Sequence, residues 1–305
     1  MPDSTKKIVV LMGGVSAERE ISLVTGDSVF KALQTCFEVE KYILNEDITE
    51  FITFLKVFKE KIIVFNALHG TYGEDGRIPA LLDLLKIPYT HSGVVASAIA
   101  MNKVLSKQLA KSMGIPIAYH KVVIPKELKS TDIKYPCVLK PIAEGSSVGI
   151  YILHNAKDFN KVQQDLQKFS TLMCEEYFQG IECTVGVLQA QALGVTDIIP
   201  KNEFYDFESK YAVAGSSHVL PSKIPQRVQT TMKKYAEDLY VALLARGTIR
   251  VDFIYNKEQD KFICLEINTH PGMTPSSLLP EQAEYKGISF LDLCKLLIQQ
   301  ATFDV

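Results

Sequence analysis

The sequence predicts an α/β protein that begins with a parallel sheet and continues into antiparallel hairpins. Lys7 to Met12 (KIVVLM) and Lys61 to Leu68 (KIIVFNAL) are short, Val/Ile-rich apolar runs. Each meets glycine and is then followed by apolar residues at helical spacing, the β-α-β-α alternation of a parallel sheet. Further on, Cys137 to Lys140 and Val148 to Leu153 flank a Gly/Ser loop, and Arg250 to Tyr255 and Lys261 to Asn268 flank the polar turn Asn256 to Asp260. Both spacings fit β-loop-β hairpins rather than crossovers.

In chain order, Ile21, Val24, Val29, Ala32 and Leu33 mark a first amphipathic helix, and Leu81, Leu82 and Leu85 a later one. Ligands of parallel sheets gather at the carboxyl ends of strands, here Gly13-Gly14 and His69-Gly70. The pattern changes near Ser92-Gly93, where one helix is expected from Ala96 to Met113, stopped at Gly114-Ile115-Pro116. Leu172 to Phe178 and Glu182 to Leu188 read as strands. Residues 201 to 225 form a polar connection long enough to suggest a functional loop. A helix from Arg227 to Ala245, the second hairpin, and a last helix opened by a capping box at Ser289 and Asp292 complete the chain.

With 47% hydrophobic residues, the chain of 305 residues can bury a large core, and its net charge of −2 with no basic stripe argues against nucleic acid as a partner. No apolar run approaches the roughly 20 residues of a membrane span, and Met1 to Lys7 lacks the apolar stretch of a secretion signal. The six cysteines form no C-x-x-C and sit mostly among Val, Leu and Ile, as reduced core thiols of a cytoplasmic protein do.

The clearest chemistry lies in RVDFIY (250–255) and KFICLEIN (261–268). An antiparallel pairing puts Asp252 opposite Glu266 and Arg250 opposite Asn268, all on one face. Val251, Phe253, Tyr255, Ile263, Leu265 and Ile267 then occupy the other, core face. Two opposed carboxylates repel unless a cation lies between them, and carboxylate and amide oxygens suit Mg²⁺ shared with nucleotide phosphates. Arg250 suits an anionic intermediate. The alternative is a solvated face of alternating charge.

KPIAEGSSVG (140–149) offers Lys140, Ser146, Ser147 and backbone N–H groups to phosphate oxygens. It is not a Walker loop and can equally be an ordinary hairpin loop. Glu175, Tyr177 and Phe178 end a strand whose backbone can read an adenine edge, with Glu182 placed for ribose hydroxyls; a solvated strand end is the plainer reading. Lys103 is either a phosphate partner or a surface lysine. His69 lies in the Gly-bracketed loop HGTYGEDG, and Glu18 follows the other strand end; structural roles as a loop histidine and a helix-dipole partner compete. Ser277 reads as a helix N-cap, at a helix start suited to an anion.

Taken together, GGVSAEREISL (13–23), HGTYGEDGRIP (69–79), MNKVLSK (101–107), LKPIAEGSSVGI (139–150), YDFESKY (205–211), RVDF (250–253) and LEINTHPGMTPSSLLP (265–280) span nearly the whole chain. In this order they resemble the ATP-grasp enzymes and, among them, the D-alanine–D-alanine ligase family. The resemblance implies a three-domain ATP-grasp architecture: an N-terminal α/β domain over 1–95, a central domain over 96–185, and a C-terminal domain over 186–305 with a lid at 205–220. ATP is held between the last two. It implies phosphorylation of one D-alanine to an acyl phosphate, attack by the amine of a second, and a product used for peptidoglycan.

By position, Glu18 matches the acid that binds the first D-alanine's ammonium, with His69 beside that substrate. Lys103, Lys140, Ser147, Glu175, Tyr177, Phe178, Glu182 and Lys210 match ATP contacts. Tyr211, Ser146 and Glu18 match a hydrogen-bonded triad that closes the site, and a tyrosine at 211 goes with D-alanine rather than D-lactate as second substrate. Arg250 and the backbone of Gly272 match the oxyanion stabilisers, and Ser277 and Leu278 the second-substrate contacts. Asp252, Glu266 and Asn268 match ligands of two Mg²⁺ ions, which Mn²⁺ can replace. A homodimer is implied. His270, Pro275 and Asn102 depart from the family pattern. The competing readings are another ATP-grasp carboxylate–amine ligase, a dinucleotide oxidoreductase lacking its G-x-G-x-x-G, and a non-catalytic nucleotide-binding regulator.

Overall fold

A computed structural model describes residues 6–145, 148–200 and 216–304. The first strands, β1 (Lys7–Gly13), β2 (Val39–Leu44) and β3 (Ile62–Asn66), form a parallel sheet in the order β2-β1-β3. Its connections are α1 (Arg19–Leu33) and α2 (Ile48–Phe58), and α3 (Arg77–Leu85) follows β3. The alternation was legible for β1 and β3. The half-exposed β2 (VEKYIL), its apolar residues interrupted by Glu40 and Lys41, and the helix α2 after it were not.

α1 buries a different stripe from the expected one. Val24 is exposed, while Ser22, Thr25, Gly26, Val29 and Leu33 face the sheet. The polar members have work at the strand ends. Ser22 Oγ accepts from Gly13 N at 2.8 Å and donates to Ala67 O at 2.8 Å, which fixes both ligand-facing turns. A Cβ on Gly26 would come within 2.6 Å of Met12, so only glycine lets α1 lie this close to β1.

The expected helix over 96–113 is two helices, α4 (Val94–Met101) and α5 (Lys103–Ser112). Asn102 between them is extended, and its side chain accepts from Val104 N and Leu105 N. An amide that caps a new helix ends the old one.

A four-stranded antiparallel sheet follows, built from β4 (His120–Val123), β5 (Cys137–Lys140), β6 (Tyr151–Leu153) and β7 (Leu172–Glu176), in the order β4-β7-β5-β6 and backed by α6 (Ala156–Leu166). β5 and β6 pair antiparallel, as the hairpin reading expects. The third sheet contains β8 (Ile181–Leu188), β9 (Gln191–Ala192), β10 (Thr196–Pro200), β11 (Ser216–Val219), β12 (Thr248–Asn256) and β13 (Lys261–Asn268). β11 is thus a strand within the connection read as loop. α7 (Gln226–Ala242), α4 and α5 cover this sheet's core face, while β8 crosses the 185/186 boundary.

Two helices close the chain, α8 (Leu278–Tyr285) and α9 (Phe290–Gln299). Leu293, Cys294, Leu297 and Ile298 of α9 pack with Val29 and Leu33 of α1 and with Ile8 and Val10 of β1. The C-terminal segment therefore completes the core of the N-terminal sheet. Among the described residues no helix is long and apolar enough to cross a membrane. All six cysteines are free thiols, five of them buried and Cys36 exposed.

Candidate active site

The hairpin β12–β13 pairs Arg250 with Asn268 and Asp252 with Glu266, in the register read from the sequence. The register then shifts at Asp252/Phe253, so that Cys264 pairs with Phe253 and Ile263 with Ile254. This bulge corrects the expected core face. Cys264 packs in the core beside Phe253, and Ile263 and Leu265 line a cavity on the opposite side. One extra residue in a strand reverses which side chains face inward beyond it.

That cavity, about 780 Å³, lies between the four-stranded and third sheets. Val138 and Ile152 form one wall; Ile198, Ile254 and Ile263 form the other. Tyr177, Phe178 and Glu182 line it, with Lys103, Lys140, Glu175 and Glu266 also at its edge. Two apolar walls with cations alongside suit a flat base carrying phosphates.

The cations are held by buried acids. Lys140 Nζ lies 2.7 Å from Glu175 Oε2 and Lys107 Nζ 2.5 Å from Glu175 Oε1, all three residues being buried. Burial pushes the Glu175 carboxyl up, but the charges of Lys140 and Lys107 outweigh it and hold Glu175 below the usual carboxylate range. Burial pulls Lys107 down, and Lys140's like charge adds to this. Lys140 and Lys103 thereby hold their ammonium groups at the cavity edge, where a phosphate can meet them. Lys103 donates to Glu144 O at 2.6 Å and lies 3.4 Å from Glu266 Oε2. The surface readings of Lys103 and of Glu175 are therefore wrong, since both are buried. Lys107 was missed. Its signal was a lysine in step with Lys103, Ser106 and Ala110 on the buried face of α5.

Asp252 accepts a forked pair from Arg250, Nε to Oδ1 at 2.9 Å and Nη2 to Oδ2 at 2.8 Å, and Thr184 Oγ1 donates to Oδ1 at 2.6 Å. Asn268 Oδ1 accepts from His270 N at 2.8 Å. Among the described residues no group of three or more His, Cys, Asp and Glu side chains is arranged to hold a metal. The oxygen set here is two carboxylates and an amide, and that donor chemistry fits a hard divalent cation.

At the N-terminal sheet, Ser16 Oγ donates to His69 O at 2.7 Å, tying the two strand-end loops together. A Cβ on Gly70 or on Gly145 would lie 2.7 Å from Glu18 Oε2. The Glu18 carboxylate thus rests between the N-terminal sheet's loop and the loop of the β5–β6 hairpin. His69 is buried, with Nε2 3.0 Å from Thr25 Oγ1 and Nδ1 3.2 Å from Glu74 Oε1. Burial lowers His69, but the hydrogen bond and charge of Glu74, with Glu18 behind it, outweigh this and raise it above its ordinary value. His270 is buried against His91 with ring centroids 4.3 Å apart, and its Nε2 lies 3.0 Å from Asn66 Nδ2. Burial keeps both rings neutral, His91 being pushed down to about 3.

Gly272 and Ser277 sit in the turn before α8. A Cβ on Gly272 would lie 3.1 Å from Ser277 Oγ, which bonds Thr274 Oγ1 at 2.7 Å and accepts from Thr274 N at 3.1 Å. Leu278 is buried at the first turn of α8. Ser146, Ser147, Lys210 and Tyr211 lie outside the described residues.

Residues 109–299 match the family model described as "D-ala D-ala ligase C-terminus". A protein of Granulibacter bethesdensis named D-alanine–D-alanine ligase is 43% identical, covering 98% of this chain and 99% of its own length. The chain belongs to the D-alanine–D-alanine ligase family. A relative of the same name from Rickettsia bellii is 40% identical, covering 98% of this chain and 93% of its own length. The ATP complex of the Bacillus anthracis D-alanine–D-alanine ligase superposes with a TM-score of 0.83 at 27% identity, covering 97% of both chains. The fold is the ATP-grasp architecture of D-alanine–D-alanine ligases.

Proposed function

We propose that this chain joins two D-alanines at the expense of ATP, through a D-alanyl phosphate, to make D-alanyl-D-alanine for peptidoglycan. The observation that carries it is a run of contacts from Glu18 against Gly145, through Lys103 between Glu144 and Glu266 at the cavity edge, to Asp252 opposite Glu266 and paired with Arg250.

In this reading, the apolar walls at Ile152, Ile198 and Ile254 sandwich adenine, Glu182 accepts from ribose, and Lys103 and Lys140 hold phosphate oxygens. Glu18 holds the ammonium of the first D-alanine, with His69 beside it. That orients its carboxylate toward the phosphates and converts a bimolecular encounter into a positioned one. The guanidinium of Arg250, fixed by its fork to Asp252, and the backbone N–H of Gly272 stabilise the oxyanion formed when the second amine attacks. Ser277 and Leu278 contact that second substrate. Asp252, Glu266 and Asn268 would hold two Mg²⁺ ions, or Mn²⁺, which supply charge neutralisation on the phosphate oxygens. Lys210, Ser147, Ser146 and Tyr211 are assigned to phosphate contact and to closure of the lid at 205–220, which keeps water from the acyl phosphate. The division at 95 and 185, a homodimer and a cytoplasmic location belong to the same proposal; the buried free thiols support the last.

A phosphate-release screen with D-alanine, D-lactate, D-serine and L-amino acids tests it. Release should depend on D-alanine and MgATP and vanish with EDTA. Release that requires another acid and ignores D-alanine sinks the reading and favours a different ATP-grasp ligase.

A further inference from the structure

We infer that Gln282 is a positioning residue that couples the second-substrate helix to the strand pair holding Arg250 and Asp252. The inference rests on the proposed assignment of Ser277 and Leu278 to the second D-alanine and goes beyond it.

Gln282 is fully buried on α8, one turn after Leu278. An uncharged amide there must satisfy all its polar atoms, and each finds a partner on the third sheet. Its Oε1 accepts from Gly186 N at 2.7 Å, and its Nε2 donates to Thr184 O at 3.1 Å and to Thr196 Oγ1 at 2.9 Å. Gly186 and Thr184 are the β8 residues that pair across the ladder with Arg250 and Asp252. Thr184 is used twice: its carbonyl holds Gln282, and its hydroxyl donates to Asp252. The carboxamide therefore fastens α8 to the two strand positions directly behind the Arg250–Asp252 fork.

Gly186 gives an independent indication that this approach is specific. Its Cβ, if present, would lie 2.7 Å from Gln282 Oε1 and 2.7 Å from Leu279 Cδ1, so the strand omits a side chain where the helix docks. The neighbouring Glu281 binds His218 Nδ1 of β11 at 2.6 Å, so α8 touches β8, β10 and β11 through two consecutive residues. A helix held this way sets how far Ser277 and Leu278 stand from Arg250. Small misplacements of such groups are costly to reaction.

The test is steady-state kinetics at varied D-alanine, which separates the donor and acceptor KM, with ATP KM and the urea midpoint measured alongside. Gln282→Met keeps the packing volume and removes all three hydrogen bonds. It should raise the acceptor KM about tenfold and leave the donor and ATP KM within about twofold. Gly186→Ala pushes on the same amide from the strand side, should give the same selective change, and carries the test if Gln282→Met does not fold. The two changes combined should be non-additive, because they break one contact. Lowered urea midpoints with all three KM values unchanged, or all three raised together, would make Gln282 merely structural and overturn the inference. A wild-type enzyme silent with D-alanine overturns the functional reading and this coupling with it. That failure is distinguishable because it precedes any substitution.

Discussion

Lys107 occupies a helix position where an apolar residue would ordinarily face the core, and it is 2% exposed. Its partner Glu175 is equally enclosed, so removing one ammonium leaves a buried carboxylate with Lys140 alone. Lys107→Met should cost about 3 kcal/mol by urea unfolding. The sign of its pH dependence follows from Glu175, whose folded pKa is depressed below the ordinary 4.5. The stability that Glu175 supplies is present above 4.5 and is lost as pH falls through the lower folded value. The deficit of Lys107→Met should therefore shrink in acid. His69 runs the other way. Glu74 raises it above 6.5, so its contribution is complete below 6.5 and is lost as pH rises through the folded value. NMR titration of the imidazole should place His69 above 6.5. In Glu74→Gln, burial should carry it below 6.5; an unchanged midpoint would remove Glu74 as the cause.

At the scale of elements, loops built from glycine set the distances. Gly145 needs no left-handed φ, so its requirement is one of space beside Glu18 Oε2. Gly145→Ala should raise the donor KM about tenfold while ATP affinity and melting temperature stay near wild type; an unchanged donor KM would place Glu18 outside the substrate site. The hairpin of Arg250, Asp252, Glu266 and Asn268 was legible because alternation fixes faces as soon as register is guessed. The bulge was not, because an inserted residue leaves no mark on hydrophobicity: Ile263 and Leu265 look like core whichever way they point. The break at Asn102 was hidden for a related reason, since both helices around it carry apolar residues at helical spacing and only the capping amide marks the join. Buried polar residues were the hardest to see. Ser22, Thr25, Thr184 and Gln282 read as surface in a sequence, and their partners, backbone groups for Ser22 and distant side chains or backbone for the others, are far along the chain where no local pattern announces them.

At the scale of the molecule, the chain returns to its start: α9 packs on β1 and α1. The N-terminal loops, which hold Glu18 and His69, are thereby joined to the segment that carries Gly272 and Ser277. The cavity between the four-stranded and third sheets is apolar at its walls and carries Lys103 and Lys140 at its edge, an arrangement suited to ATP. What the cleft is proposed to do is transfer a phosphoryl group to a carboxylate before forming an amide bond. Carboxyl-¹⁸O-labelled D-alanine tests this most directly, by mass analysis of the released phosphate and the dipeptide. Ligation through D-alanyl phosphate moves one ¹⁸O into phosphate for each D-alanyl-D-alanine made. Dipeptide formed with unlabelled phosphate, or phosphate released without dipeptide, would contradict it.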